Sequence, residues 1–184
     1  MSDDKENLPP SGFKAQGLLT EKGVKIVERS SIDALAQRGY GAVEKEALML
    51  TFYETLFLFD RQVLCVKDNK NSQLDFQRLL QAYEEADENA WMHYLVYRDL
   101  RTRGYVVREG FGAAIDFRIY ERGSYGKDTA ASLVLSTQEG QPLLLGDLSN
   151  ALSQTQSLKK DLVLAVINRR GEIVYYSVSP LTFQ

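Results

Sequence analysis

Residues 94–123 read YLVYRDLRTRGYVVREGFGAAIDFRIYERG, and this stretch predicts the end of a helix followed by two strands. The helix before Gly104 is apolar on most of its circumference, which is typical of a helix buried between two layers. Gly104 is a natural left-handed C-terminal cap. Tyr105–Val107 then favours a strand, and Ile115–Tyr120 alternates apolar with polar side chains, the period of a half-covered strand. The stretch therefore predicts a helix that leads into a hairpin-like pair of strands.

The same stretch resembles the C-terminal domain of the archaeal tRNA-intron (tRNA-splicing) endonucleases. Members of that family carry a segment of the form Y-x-x-Y-x-D-L-R-x-(K/R)-G-Y-x-V-x-x-G-x-x-x-x-x-D-F-x-(V/I)-Y. The matching positions here are Tyr94, Tyr97, Asp99, Leu100, Arg101, Arg103, Gly104, Tyr105, Val107, Gly110, Asp116, Phe117, Ile119 and Tyr120. The end of the chain resembles the family as well, with a basic pair at 159–160, an apolar strand, a turn and a closing Ile-Val-Tyr-Tyr strand.

The N-terminal half is similar to the N-terminal domain of the same endonucleases. The similarity rests on Gly17-Leu18-Leu19, on Gly39-Tyr40-Gly41 and on the apolar segment that follows them. The resemblance implies an α/β (α+β) fold. A small mixed α/β domain is expected first, then a nuclease-like domain with a central mixed sheet flanked by helices. We expect a flexible tail at 1–12, the N-terminal domain at 13–88 and a degenerate catalytic-like domain at 89–184.

Hydrophobic spacing predicts the elements inside these domains. Two short strands are expected within 13–27, and Ser30 or Ser31 is expected to cap a short helix. Residues 44–61 are predicted to form one long helix, because apolar residues recur at spacings of three and four. Leu143–Leu145 is predicted to be a short buried run.

Composition limits how the protein could contact RNA and which cellular compartment it suits. The chain has 184 residues, a formal net charge of −3 and a pI of about 5.3, so any contact with RNA must use a local patch or a partner's surface. A single cysteine, Cys65, suits a reducing cytoplasm. No apolar run approaches the roughly 20 residues that span a membrane, and the acidic, proline-containing N-terminus does not read as a signal peptide. The sequence contains no metal-ligand spacing, and we expect no metal, no cofactor and a cytoplasmic location.

The resemblance implies a reaction and a set of groups for it. The family cleaves RNA without metal: a 2′-hydroxyl attacks the adjacent phosphate and leaves a 2′,3′-cyclic phosphate and a 5′-hydroxyl. A tyrosine, a histidine and a lysine serve this chemistry in family members, and an arginine grips an extruded base. Carried over by position, the tyrosine corresponds to Ala113, the histidine to Thr129, the lysine to Lys160 (with Lys159 as a one-residue alternative) and the arginine to Ser153.

These replacements predict a chain that is inactive on its own. Alanine has no proton to transfer, and a threonine hydroxyl does not titrate near neutral pH, whereas losing one general acid or base costs about 10²–10⁴-fold in rate. The only histidine, His93, lies on the helix before Gly104 and is expected to be a packed residue. The predicted function is a structural, non-catalytic subunit, a pseudoenzyme, of a heteromeric tRNA-splicing endonuclease that cuts precursor tRNA at bulge-helix-bulge sites.

Two alternatives remain open at this point. One is an active endonuclease with relocated groups, for which Tyr125 and Lys160 are the candidates. The other is a stand-alone RNA-binding or scaffold protein, against which the acidic pI and Ser153 argue.

The resemblance also implies partners. Family assemblies have the equivalent of four units, two of which catalyse. We therefore expect this chain to form a hetero-oligomer, such as a heterotetramer, with a catalytic subunit. The chain is expected to meet precursor tRNA through that complex. An acidic loop is expected to enter a neighbour's groove, and Gln138–Gly140 and Gly146–Asp147 are both candidates. The expected interface lies on the last strand and its tail, at Ile173, Val174, Tyr175, Tyr176, Leu181 and Phe183.

Overall fold

The computed structural model describes residues 8–112, 114–121, 123–127 and 129–180. The chain divides by packing into two compact units. The first contains residues up to Arg98 together with Thr102–Gly104, and the second contains Asp99–Arg101 and the residues from Tyr105 onward. Within the described residues, every helix is too short or too polar to cross a membrane.

A five-stranded mixed sheet and four helices make up the first unit. The strands lie in the order β3-β4-β2-β1-β5, in which β1 and β5 are parallel and the other pairs are antiparallel. The two strands predicted within residues 13–27 are present as a hairpin. The elements follow as β1 Ala15–Thr20, β2 Gly23–Ile26, α1 Arg29–Ala36, β3 Ala42–Glu44, β4 Ala47–Leu50, α2 Phe52–Asp60, β5 Leu64–Lys67, α3 Phe76–Glu84 and α4 Ala90–Thr102.

The long helix predicted at 44–61 is wrong in its first half. That half forms the β3–β4 hairpin, which turns at Lys45 with a positive φ of 55°. Helix α2 begins only after Thr51, whose side chain accepts the backbone N–H of Glu54 while the Glu54 carboxylate accepts the backbone N–H of Thr51. The predicted serine cap of α1 is also wrong, because Glu28 occupies the N-cap position and the Ser31 hydroxyl donates to its carboxylate.

The second unit is a five-stranded mixed sheet with a helix packed on one face. The strands lie in the order β10-β9-β8-β7-β6, with β8 and β9 parallel and the other pairs antiparallel. Helix α5 packs through Ala151 onto Leu133, Leu135 and Leu162. The elements are β6 Val106–Phe111, β7 Ile115–Tyr120, β8 Ser132–Gln138, α5 Leu145–Ser157, β9 Asp161–Ile167 and β10 Ile173–Val178.

The predicted fold class is therefore confirmed, with mixed α/β units that each contain a mixed sheet and helices. The hairpin predicted from residues 94–123 is β6 paired with β7. The predicted buried run Leu143–Leu145 is wrong, because Leu144 and Leu145 are 67% and 84% exposed where α5 begins. By packing, the division between the units falls within α4, and the domain boundary at residues 88/89 stays a prediction.

Candidate active site

The end of α5 positions Lys160. Lys159 adopts a left-handed conformation with φ of 54°, and the backbone N–H of Lys160 donates to the carbonyl of Thr155 at 2.9 Å. This 6→1 bond is the mark of a Schellman-type helix end. It turns the chain directly into β9 and directs the Lys160 ammonium group to the Thr129 hydroxyl, 2.5 Å away. Lys159 is exposed, so Lys160 is the lysine that the structure brings to Thr129.

The sheet register brings Tyr120 to the same site. Ser132 pairs with Ile119 of β7 on one side and with Asp161 of β9 on the other. The backbone N–H of Ala131 also donates to the carbonyl of Ile119 at 2.8 Å, so the regular β7–β8 register ends at Ser132. Tyr120, at the end of β7, and Lys160, just before β9, lie at the same end of the sheet. Neighbouring strands lie about 4.8 Å apart, so the backbones of Tyr120 and Lys160 are about 10 Å apart.

Tyr125 packs against Tyr120, and the described residues show no contact between Tyr125 and Lys160. Their ring centroids lie 5.2 Å apart and the ring planes meet at 89°, an edge-to-face pair. Such pairs contribute about 0.5–1.5 kcal/mol beyond the area they bury. Tyr125 is therefore placed to orient the ring of Tyr120.

The assignment of the tyrosine to Ala113 stays a prediction, because nothing is described of that residue. Residue 113 lies outside the described residues, but Gly112 and Ala114 lie at the turn between β6 and β7. Because β7 runs antiparallel to β8, that turn lies at the opposite end of β7 from Thr129. Six strand residues span about 20 Å, which no tyrosine side chain covers. Tyr120, the last residue of the alternating Ile115–Tyr120 pattern, lies at the end of β7 nearer to Thr129 and is the described tyrosine that we take as the candidate there.

The other predicted positions are occupied as follows. Ser153 lies exposed on α5, and its hydroxyl donates to the carbonyl of Ser149 one turn earlier, at 2.8 Å. The described residues contain no cluster of three or more His, Cys, Asp or Glu side chains arranged for a metal ion. Arg101, one of the positions that match the family segment, is almost fully buried.

His93 forms a pair with Asp87 at the start of α4. Its Nδ1 lies 2.6 Å from an Asp87 carboxylate oxygen, and the Asn89 backbone N–H donates to the other oxygen at 2.8 Å. Burial acts to raise the pKa of Asp87, but the hydrogen bonds from His93 and Asn89 outweigh it and hold that pKa below its usual value. Both residues belong to the first unit, where His93 stabilises local structure.

The predicted interface strand is the edge of its sheet. Strand β10 pairs only with β9 among the described residues. On one face of β10, the side chains of Val174 and Tyr176 are 49% and 53% exposed. On the other face, Ile173 is half-buried and the Tyr175 hydroxyl donates a hydrogen bond to Asp99 at 2.8 Å. Leu181 and Phe183 lie outside the described residues.

Comparison with known proteins gives the same result for both halves of the chain. Residues 15–80 match the family described as tRNA intron endonuclease, N-terminal domain, and residues 90–175 match the tRNA intron endonuclease, catalytic C-terminal domain. A tRNA-splicing endonuclease of Methanococcus vannielii is 31% identical over 163 residues, which cover 89% of this chain and 92% of that protein. One from Pyrococcus furiosus is 32% identical over 141 residues, or 77% of this chain and 81% of that protein. One from Methanococcoides burtonii is 32% identical over 155 residues, which cover 83% of this chain but 43% of that longer protein.

Proposed function

This chain belongs to the tRNA intron endonuclease family, and we propose that within it the chain acts as a structural, non-catalytic subunit of a heteromeric tRNA-splicing endonuclease. The observation that carries the proposal is Thr129, which occupies the position beside the Lys160 ammonium group. Cleavage needs a base for the 2′-hydroxyl and an acid for the leaving 5′-oxygen. A threonine hydroxyl fills neither role near neutral pH, so the site has a cation and a tyrosine but lacks the imidazole.

An active enzyme is the second candidate, and one observation favours it. Tyr120 and Lys160 lie at the same end of the sheet, as a working site would require. The pair supplies one hydroxyl and one cation, which leaves a single proton carrier for two proton transfers. Lacking the imidazole should lower the cleavage rate about 10²–10⁴-fold, which makes the structural role the better supported one.

The proposed partner is a catalytic subunit that carries the complete set of groups. The exposed edge of β10 offers one surface for it, because an unpaired strand edge is a template for another chain. Of the two acidic segments, we propose that Gly146–Asp147 docks on the partner as part of segment 144–147, because the exposed Leu144 and Leu145 precede Asp147 and add apolar area to its charge. We propose a cytoplasmic heterotetramer that meets precursor tRNA as a complex.

A cleavage assay tests the proposal. Intron-bearing precursor tRNA is incubated in EDTA with this chain alone, and in parallel with this chain plus a subunit from the same cell that carries tyrosine, histidine and lysine. The proposal expects cleavage only in the mixed reaction, and gel filtration then counts the chains. Cleavage by this chain alone at the rate of the mixture would contradict it.

A further inference from the structure

A tight turn follows β5, and Asn71 occupies its left-handed position. The backbone N–H of Asn71 donates to the carbonyl of Asp68 at 3.0 Å, and the N–H of Asp68 donates to the carbonyl of Ser72 at 3.0 Å. Asn71 has a φ of 64°, a conformation that asparagine tolerates better than most residues with a side chain. Asn71 and Ser72 are both exposed, so water reaches the peptide bond between them.

A cation holds the side-chain amide of Asn71. The Lys67 ammonium group donates to Asn71 Oδ1 at 2.9 Å. A positive charge at a carbonyl oxygen stabilises the negative charge that develops there when a nucleophile attacks the carbonyl carbon. Lys67 is therefore positioned to assist attack on the Cγ atom of Asn71.

A carboxylate restrains the backbone nitrogen that follows Asn71. The N–H groups of Ser72 and Lys70 both donate to Asp68 Oδ1 at 2.8 Å. The bond to Ser72 must break before the Ser72 nitrogen can turn towards Cγ of Asn71, and local opening of an exposed turn breaks it transiently. The turn thus contains one group that favours attack and one that hinders it.

We propose that Asn71 is a site of self-modification, at which the Ser72 nitrogen and water convert asparagine to aspartate and isoaspartate. The Ser72 nitrogen bonds to Cγ of Asn71 and gives up its proton, and the side-chain nitrogen takes up a proton and leaves as ammonia. Water then opens the five-membered imide. Attack of water at Cγ gives aspartate, whereas attack at the backbone carbonyl carbon gives isoaspartate.

The two products affect the turn differently. Aspartate tolerates the left-handed conformation as asparagine does, and it places a carboxylate beside the Lys67 ammonium group. Isoaspartate adds one carbon to the backbone, which disrupts the paired hydrogen bonds between Asp68 and Ser72. Either product adds one negative charge to a chain whose net charge is −3. The site lies in the first unit, and the inference does not depend on the proposed function.

Asn69 is an internal control in the same turn. The nitrogen that follows it, that of Lys70, is bonded to the same Asp68 oxygen, but among the described residues no cation contacts the Asn69 amide. The full-length chain is incubated at neutral pH, folded and in urea, and mass spectrometry of its peptides measures the conversion of each asparagine. The variants are Lys67→Met, the rescue variant Lys67→Arg, Asp68→Ala and the matched control Lys70→Met.

We expect folded Lys67→Met to modify Asn71 about threefold to tenfold more slowly than the wild type, a smaller loss than at a buried site because water screens the charge. The rate at Asn69 should not change, and Lys67→Arg should retain the wild-type rate at Asn71, as should Lys70→Met. Asp68→Ala should raise the rates at both asparagines.

The incubation in urea separates the effect of the fold from that of the local sequence. In urea, Lys67→Met should match the wild type, because the contact between Lys67 and Asn71 is lost with the turn. An unchanged rate at Asn71 in folded Lys67→Met would overturn the proposal. So would an equal loss in folded Lys70→Met, or a folded wild type whose Asn71 stays unmodified after the same residue in the unfolded chain has been converted.

Discussion

The ammonium nitrogen of Lys160 lies 2.5 Å from the hydroxyl oxygen of Thr129, a hydrogen bond between residues 31 positions apart in the sequence. The bond depends on the parallel pairing of β8 with β9 and on the left-handed turn at Lys159. A histidine in place of Thr129 would start from the same backbone position. The fold of the site is thus retained at a position where its proton-transfer chemistry is missing.

Thr129→His should therefore restore cleavage. The substitution adds a group that titrates near neutral pH beside Lys160, at the end of the sheet where Tyr120 also lies. We expect the single-turnover rate on precursor tRNA in EDTA to rise about 10²–10⁴-fold over the wild-type chain. Thr129→Val, which removes the hydroxyl without adding a proton carrier, should give no gain. A folded Thr129→His chain that stays inactive, both alone and with a catalytic partner, would show that the site has lost more than the imidazole.

Tyr120 should supply the remaining proton carrier in that activated chain. In the Thr129→His background, Tyr120→Phe keeps the ring that contacts Tyr125 but removes the hydroxyl, and the gained rate should fall about 10²–10⁴-fold. Tyr125→Phe is the matched control, because it also removes one hydroxyl and keeps the edge-to-face pair. Tyr125→Phe should change the cleavage rate by less than about threefold, since the packing of the two rings is preserved. The opposite ranking of the two variants would assign the chemistry to Tyr125.

The local sequence pattern predicted the secondary structure correctly where apolar and polar side chains repeat with a single period, as they do in the Ile115–Tyr120 strand. It was wrong for residues 44–50, because spacings of three and four among apolar residues also occur in a hairpin whose inward side is buried. Strand β4 is set by pairing with β2, Lys25 opposite Met49, which is not visible in local spacing. The capping-box pattern Thr51-x-x-Glu54 was present in the sequence and marks where α2 begins.

The site was harder to predict because it depends on register. Ala114 and Tyr120 are six residues apart in the sequence, yet the antiparallel pairing of β7 with β8 places Tyr120 at the end of β7 nearer to Thr129 and Ala114 at the other end. Position along a motif does not show at which end of a strand a side chain lies.

The Asp87–His93 pair should make part of the stability of the chain dependent on pH. The pKa of Asp87 is lowered in the folded state from its usual 3.8, so the folded protein favours the charged form. The stabilisation is therefore complete above pH 3.8 and is lost as the pH falls through the lower folded value. Asp87→Asn should lower the free energy of unfolding by about 1 kcal/mol at pH 7, a small value because the pair is partly exposed.

Urea unfolding of Asp87→Asn and the wild type at pH 7 and at about pH 3 checks this prediction. The difference between the two proteins should shrink at the acidic pH, where the wild-type carboxyl begins to take up its proton. Glu88→Gln, which alters the neighbouring exposed carboxylate, should leave the unfolding midpoint at pH 7 unchanged. An equal difference at both pH values would show that Asp87 acts through its shape rather than its charge.

The edge of β10 should be needed for assembly but not for folding. Val174 is 49% exposed on a strand that has one partner among the described residues, so Val174→Lys places a charge where another strand would pair. Burying that unpaired ammonium group costs more than about 1.4 kcal/mol, so association with the catalytic subunit should weaken at least about tenfold. Val43→Lys is the matched control, since Val43 is a 59% exposed valine on β3, the edge strand of the first unit. Gel filtration should show Val174→Lys eluting later than the complex while its thermal unfolding stays close to that of Val43→Lys. Unchanged assembly of Val174→Lys would move the interface away from β10 and leave the exposed segment 144–147 as the contact to test.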